Sequence, residues 1–323
     1  GFVVAPATAN LLAKAAHGIA DDFLTTLLLA TRAPALMVPA MDGGMWEHPA
    51  VRANVATLRA RGISVMEPEV GPLASGLSGP GRFPETEAIV EAIYGLLTPV
   101  KDLAADRLLI TAGPTREPID PVRYLSNRSS GKMGRALALA ALRRGGRVVL
   151  VSGPTSLPPP LGATFVPVET AEEMREAVLQ HLSDATIVVK AAAVADYRPK
   201  RPSPTKIASK QEGLAIELVA NPDILQEIAT RKGEAFLVGF AAETHDVSSR
   251  ARVKLRSKGV DLLVVNDVSQ AGIGFESDEN RVTLLDRWGG IIELPTKTKL
   301  DVAHAIYDRV LSLRALHPES VPG

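Results

Sequence analysis

The chain has 323 residues, with 36 basic and 36 acidic side chains and no cysteine. Its 46% hydrophobic and 22% charged content excludes a disordered chain, and its length fits two domains. Balanced charge argues against a general nucleic-acid or anionic-membrane surface while leaving room for a local phosphate pocket, and the lack of cysteine removes a disulfide framework, a thiolate metal site and a thiol nucleophile.

In chain order the pattern predicts strand 2–5, helices 9–16 and 20–31, strand 35–38, helix 47–61, strand 63–66 and helix 85–97. The apolar run around Leu27 to Ala30 is too short to span a bilayer, and Asp21 and Asp22 precede it. No signal-peptide pattern is present. Gly1 leads directly into what reads as a buried strand, so the front of the first domain is expected to lie outside this sequence. Met41 and Met45 fall in a Gly-containing loop, and the neighbouring Trp46 reads either as a ligand cover or as packing against another subunit.

A domain boundary is expected between Thr98 and Asp106, where Pro99 and the polar Lys101-Asp102 end one helix before a fresh apolar strand; the division is 1–100 and 101–323. The second half then predicts strand 107–112, helix 131–144, strands 147–151 and 164–167, helix 171–182, strand 186–190 and helix 222–231. Strand 236–240, helix 246–257, strands 261–265, 281–284 and 290–293 and helix 298–314 follow. Residues 153–160 read as a Pro-rich loop, and the polar stretch 198–213 as a candidate mobile flap. Continuous apolar strands alternating with helices predict an α/β chain of two tandem doubly wound, Rossmann-like domains with parallel sheets covered on both faces.

Ligands of such sheets bind beyond the carboxyl ends of the strands. The first candidate is Thr111-Ala-Gly-Pro-Thr-Arg-Glu-Pro-Ile-Asp120, followed by Tyr124-Leu-Ser-Asn-Arg-Ser-Ser-Gly-Lys-Met-Gly134 at a helix start. Small hydroxyl residues and Gly there cradle an anion with backbone N–H groups, or equally form a Ser cap and a tight turn. Met133 rules out a Walker A loop, and the Gly spacing rules out G-x-G-x-x-G. The second candidate is Lys190-Ala-Ala-Ala-Val-Ala-Asp196-Tyr197, whose small residues let a flat ligand approach the backbone; Asp196 faces a ribose or a metal, or caps a turn. The third is Lys206 and Lys210 on the flap, and the fourth is Lys254 and Lys258, one helical turn apart. In each case a solvated charge is the bland alternative. Together they suggest a nucleoside triphosphate with a carboxylate substrate.

The run from Thr111 to Gly134 resembles the signature of phosphopantothenate–cysteine ligases. Ala191-Ala-Ala-Val-Ala-Asp-Tyr-Arg198, Asn221-Pro-Asp-Ile224, Val238-Gly-Phe-Ala-Ala-Glu-Thr244 and Val265-Asn-Asp-Val268 resemble that family in the same order. The first half resembles the flavodoxin-like flavoprotein decarboxylases of bacterial coenzyme A biosynthesis, through Ala5-Pro-Ala-Thr-Ala-Asn10, Gly18-Ile-Ala-Asp-Asp22, Pro39-Ala-Met-Asp-Gly-Gly-Met-Trp46 and Leu73-Ala-Ser-Gly-Leu-Ser-Gly-Pro-Gly-Arg82.

The resemblance implies a cytoplasmic ligase that activates 4′-phosphopantothenate with CTP as an acyl-cytidylate and passes the acyl group to cysteine, with Mg²⁺ accompanying CTP. By motif position, Asn127 with Ser129, Ser130 and Gly131 would hold the acyl-cytidylate, and Lys206 would stabilise charge as it forms. Backbone around Ala195 and Tyr197 would read the cytosine, Lys190, Ala191 and Ala192 would also bind CTP, and Asp196 would stand at the nucleotide and its metal ion. Asn221, Pro222, Asp223, Ile224 and Phe240 would line the same pocket, and Lys254 and Lys258 would meet the triphosphate. The family implies a homodimer through the ligase domain, with Arg123 at its interface, and larger assemblies through an intact flavin domain. The family's flap carries further Lys after the position of Lys206, where this chain has Ala208 and Ser209 before Lys210.

For the first half the resemblance implies FMN, with Thr8, Ala9 and Asn10 against the flavin and Met41, Asp42 and Met45 toward the substrate. Three departures predict that this polypeptide does not decarboxylate. His17 and His48 do not match the catalytic His, Asp42 replaces the usual Asn, and Ser75 replaces the Cys that protonates the intermediate. Two other readings of the chain stay open: an inert flavodoxin-like binding or regulatory protein, and an NAD(P)-dependent reductase, the latter disfavoured by the lack of G-x-G-x-x-G and of a Tyr-x-x-x-Lys pair.

Overall fold

The structure of the chain, a computed structural model, describes residues 1–98, 100–207, 214–243, 255, 257–267 and 277–318. It divides into two compact units, Gly1–Lys101 and Asp102–Gly323.

The first unit runs β1 (Phe2–Ala7), α1 (Ala9–His17), α2 (Phe23–Ala30), β2 (Ala35–Pro39), α3 (Gly43–Glu47), α4 (Pro49–Ala60), β3 (Ser64–Val65), β4 (Glu69–Pro72), β5 (Ser78–Arg82) and α5 (Thr86–Leu97). Its three-stranded sheet has the order β1-β2-β3, with parallel pairing. Side-chain caps set the helix starts: Thr8 accepts from Leu11 N, Asp22 forms a capping box with Thr25, and His48 caps α4 ahead of Pro49. Within this chain β1 ends the three-strand order, with Val4 and Ala7 buried and Val3 37% exposed. Two readings need correction. Residues 43–47 form a short helix, because Asp42 accepts from Gly44 N and starts it. Trp46 is buried in the unit's own core beside Leu12, Met37 and Leu58, with Arg52 over its ring, so it covers no ligand.

The second unit runs β6 (Arg107–Ala112), β7 (Arg116–Pro118), β8 (Tyr124–Ser126), α6 (Lys132–Arg143), β9 (Arg147–Ser152), β10 (Thr164–Pro167), α7 (Ala171–Leu182), β11 (Ile187–Lys190), β12 (Tyr197–Pro199), β13 (Leu218–Ala220), α8 (Ile224–Arg231), β14 (Phe236–Glu243), β15 (Leu262–Asp267), β16 (Glu279–Asp286), β17 (Ile291–Thr298) and α9 (Lys299–Leu316). Among the described residues an eight-stranded sheet has the order β10-β9-β6-β11-β14-β15-β16-β17. Pairing is parallel from β10 to β15. It is antiparallel from β15 to β17, which departs from the all-parallel expectation.

Strand periodicity sorts the core. Leu108, Ile110, Leu262 and Val264 face α6 and α9, whereas Leu109, Val188, Leu263 and Val265 face α7 and α8. The buried Tyr307 of α9 donates its hydroxyl to Leu137 O of α6 at 3.0 Å, tying the two helices together. Gly134 lets α6 sit directly on β6, since a Cβ there would lie 2.4 Å from Ala112 Cβ. The strand order reverses direction at β6 and β11, so their carboxyl ends open a crevice. The predicted helix 246–257 falls almost wholly outside the described residues, as does the end of the flap.

Candidate nucleotide site

The crevice is built by two buried threonines that follow directly from β6. Thr111 Oγ1 accepts from Ala192 N at 3.1 Å, and Thr115 Oγ1 accepts from Ala195 N at 3.0 Å. Ala193 N donates to Gly113 O at 2.9 Å, and Gly113 takes a positive φ of 71° to allow it. Asn127 Nδ2 donates to Val194 O at 2.9 Å, and Asn221 Nδ2 to Ala195 O at 2.8 Å. Residues 191–196 are thus held as a fixed shelf of small side chains, which is what a flat ring needs to reach the backbone.

Beside the shelf lies a cavity of about 520 Å³. Asn127, Ser129 and Gly131 line it from the loop before α6. Lys190, Ala191, Ala192, Ala195 and Asp196 line it from the shelf, and Asn221, Pro222, Asp223, Ile224, Phe240 and Lys258 from the α8 side. Ser130, Tyr197 and Lys206 are not among its walls, and Tyr197 is 57% exposed. Lys254 lies outside the described residues. The sequence reading held Thr111, Thr115, Lys132, Met133 and Gly134 within its first candidate motif, and Asn266 within Val265-Asn-Asp-Val268, without giving them a role of their own. It missed Asn280 and Lys299. Asn266, Asn280 and Lys299 come from β15, β16 and α9, far along the chain, and the sheet order brings them to the crevice.

Lys190 is pushed below its ordinary pKa by burial, with Asp223 and Asp196 opposing the shift. Asp223 caps α8 and pairs with the Lys258 ammonium. Burial alone would raise its carboxyl, but Lys258 and the Gln226 N–H hold it below the usual range. Lys258 therefore has an internal counterion, and the expected pair of like charges facing an anion is modified on that side. Burial, with help from Lys132, pushes Lys299 down to about 8.

The near end of the flap is pinned. Asp120, whose side chain is fully buried, accepts from Ile207 N at 3.1 Å, and Arg123 Nη2 donates to Ile207 O at 2.5 Å. Arg123, expected at a subunit interface, thus has its guanidinium engaged within the chain. Lys206 is exposed next to this anchor.

In the first unit, the Ser75 hydroxyl donates to Asp42 Oδ2 at 2.6 Å. That bond, with the Gly44 N–H, holds the Asp42 carboxyl below its usual range, so Asp42 is an anion. Ala5, Pro6, Thr8 and Asn10 are exposed, Ala9 is half-buried and the Thr8 hydroxyl serves as a helix cap. Met41 packs on the core, and Met45 is 49% exposed. Residues 5, 6, 8 and 10 thus face solvent at the end of β1 and the start of α1.

Among the described residues, no group of three or more His, Asp or Glu side chains is placed to hold a metal ion, and no helix is long and apolar enough to cross a membrane. Two exposed carboxylates, Asp196 and Asp223, line the crevice, and Asp223 is paired with Lys258.

Two family models match. The DNA/pantothenate metabolism flavoprotein C-terminal domain covers residues 103–313, and the Flavoprotein model covers residues 1–98. The coenzyme A biosynthesis bifunctional protein CoaBC of Bacillus subtilis is 48% identical over 97% of this chain and 78% of its own length. That of Escherichia coli K12 is 44% identical over 96% of this chain and 77% of its own. A crystal structure of the C-terminal domain of a CoaBC protein is 46% identical, with a TM-score of 0.56, over 64% of this chain and 96% of that one. A Cab2 H337A mutant in complex with phosphopantothenate-cysteine shares the fold at 16% identity, with a TM-score of 0.54, over 73% of this chain and 95% of that one. The chain belongs to the family of bifunctional coenzyme A biosynthesis proteins, enzymes that join a flavoprotein decarboxylase domain to a ligase domain.

Proposed function

We propose that residues 101–323 ligate 4′-phosphopantothenate to cysteine at the expense of CTP. The observation that carries this reading is the backbone shelf 191–196, fixed by Thr111, Thr115, Asn127 and Asn221 at the mouth of the cavity. A carboxylate does not acylate an amine, so it must first be activated. A carboxylate oxygen of phosphopantothenate attacks the α-phosphorus of CTP, and the bond to pyrophosphate breaks. The cysteine amine then attacks the acyl carbon, CMP leaves, and the amine sheds its proton.

The shelf suits cytosine, because its run of alanines lets a flat ring lie close against the backbone. Asn127, already aligned by Val194 O, presents its amide at the junction between the shelf and α6, where the mixed anhydride forms. Lys206, on the pinned end of the flap, neutralises charge that develops on the phosphate. When Mg²⁺ accompanies the nucleotide, Asp196 is the residue to hold it, and the metal supplies further charge neutralisation. Ligase domains pairing as homodimers, with cytoplasmic residence, complete this reading.

For the first unit the proposal is negative. The hydroxyl that stands in for the family's acid is bonded to a carboxylate, so no decarboxylation step is derived for this chain.

The test is pyrophosphate release from CTP with 4′-phosphopantothenate and Mg²⁺, with and without cysteine, in the chain and in its Lys206→Gln variant. Release that needs phosphopantothenate and falls about a hundredfold or more in the variant is expected for lost stabilisation of transition-state charge. No release from folded protein with any nucleoside triphosphate would leave an inert binding protein on a ligase fold.

A further inference from the structure

Lys190 is the last residue of β11, and its side chain lines the cavity. It alternates with the buried Val188, which turns it to the α8 face of the sheet. There Lys190 Nζ donates to Ala192 O at 3.2 Å, the long end of the range for such a bond. Among the described residues no ion pair joins it to a carboxylate, since Asp223, at the start of α8, is taken by Lys258. Its neighbours in the sheet are Thr111 on β6 and Gly239 on β14, which do not titrate. Asp196, Asp223 and Lys258 are the charged groups that face it. The two carboxylates favour the ammonium from a distance, but burial prevails, so this amine gives up its proton more readily than an ordinary lysine.

The shelf fixes where that amine stands. Pro114 bridges Ala193 in parallel register, so residues 192–194 continue β11 as extended chain. The carbonyls of Ala192 and Val194 then lie on one side of it, about 7 Å apart. Lys190 Nζ is bonded to the first and Asn127 Nδ2 to the second. The ligase reading above places the acyl group at Asn127. A nitrogen entering between the two side chains has the acyl carbon about 3 Å away on one side. On the other side it has the lysine, at the separation of about 3 Å that proton transfer requires. Resting on that reading, we propose that Lys190 is the general base of the second half-reaction and frees the cysteine amine for attack on the acyl-cytidylate. The neutral lysine takes one proton from the incoming ammonium, and the lone pair so exposed forms the bond to the acyl carbon. The bond from that carbon to the phosphate oxygen breaks, and CMP leaves with the electron pair. The second surplus proton of the nitrogen goes to the departing phosphate, and the lysine returns its own to water. Lys206 thus serves the first step, where negative charge develops, and Lys190 the second, where positive charge must be removed.

The experiment follows pyrophosphate, acyl-cytidylate and amide in single turnovers of the 323-residue chain and of its Lys190→Gln and Lys190→Arg variants. With cysteine, amide formation should slow about a hundredfold or more in both variants, and acyl-cytidylate should accumulate in them. In the parent, the rate of amide formation should level off above the lowered pKa of Lys190. In the variants it should keep rising until cysteine's own amine is free. With hydroxylamine, whose nitrogen is already unprotonated at pH 7, parent and variants should form the hydroxamate at similar rates. Arginine keeps the charge and cannot act as a base, so recovery of the amide rate in Lys190→Arg would overturn the proposal in favour of a charge role. Equal slowing with hydroxylamine would also overturn it. So would pyrophosphate release that falls in step with amide formation, which would put Lys190 on the nucleotide instead. If Lys190→Gln does not fold, Lys190→Arg decides alone. Absence of phosphopantothenate-dependent pyrophosphate release from the unaltered chain would defeat the ligase reading itself.

Discussion

Asp42 and Ser75 show how one pair of side chains can change what a site does. A hydroxyl is a weak acid, and donation to a carboxylate makes proton release harder still. Incubated with FMN and 4′-phosphopantothenoylcysteine, the chain is therefore expected to form no 4′-phosphopantetheine, because the proton donor is needed after CO₂ has left. Formation of 4′-phosphopantetheine above a protein-free control would refute this. Lys299 makes a prediction of opposite character. Its folded pKa, about 8, lies below the ordinary 10.5, so the buried charge costs stability below pH 8. That cost is relieved as pH rises from about 8 toward 10.5, because the unfolded chain binds more protons there. A Lys299→Met variant should lack this contribution: unfolding free energy measured between pH 7 and pH 10 should gain less stability with rising pH in the variant than in the parent, and an equal gain in both would refute the assignment.

Among the elements, the contact of α6 with β6 is the tightest constraint on the crevice. Gly134→Ala would drive a methyl group to 2.4 Å from Ala112 Cβ and 2.9 Å from its Cα. The helix must then lift, at a cost of about 1–3 kcal/mol, which thermal unfolding should register as a lower Tm. Because α6 carries Gly131 and Lys132, ligase turnover should fall with it. The long elements were legible in the sequence because apolar period and caps agree: α7 begins at Thr170 with a complete capping box, and β6, β9 and β11 are near-continuous apolar runs. The short pairs β7–β8 and β12–β13 were not. Strands of three residues show no periodicity, and what holds them is side-chain bonding such as Arg198 to Asn221 Oδ1 at 2.8 Å. The β4–β5 hairpin was missed for a related reason, being rich in Gly and Pro. The reversal of β16 and β17 was missed because alternation reports which face a strand shows, not its direction.

At the scale of the whole molecule, the crevice belongs to one unit. The cavity-lining residues all lie between Asn127 and Lys299, within Asp102–Gly323. Asp102 itself is bonded to Arg144 at 2.6 and 2.8 Å, so a fragment cut just before it keeps its first anchor. A fragment of residues 101–323 is therefore expected to retain phosphopantothenate-dependent pyrophosphate release at a rate close to that of the full chain; loss of release from a folded fragment would show that the first unit completes the site. Half of the crevice was readable in advance, because residues 127–131, 190–196 and 221–224 carry motifs. Asn266 falls in a motif too, but Asn280 and Lys299 sit on a strand and a helix whose neighbours in sequence give no hint of shared space.

The anchor at Asp120 bears on Lys206 in a way that polymer physics describes best. Ile207, the next residue, is fixed at both its N–H and its carbonyl. Lys206 is consequently on a leash one residue long, and the volume its ammonium explores is set by its own side chain. Its local concentration at the crevice is that of a tethered reagent with a short linker, independent of how much chain follows. The residues after Ile207, where this chain has Ala208 and Ser209, can then vary without changing how Lys206 is tethered.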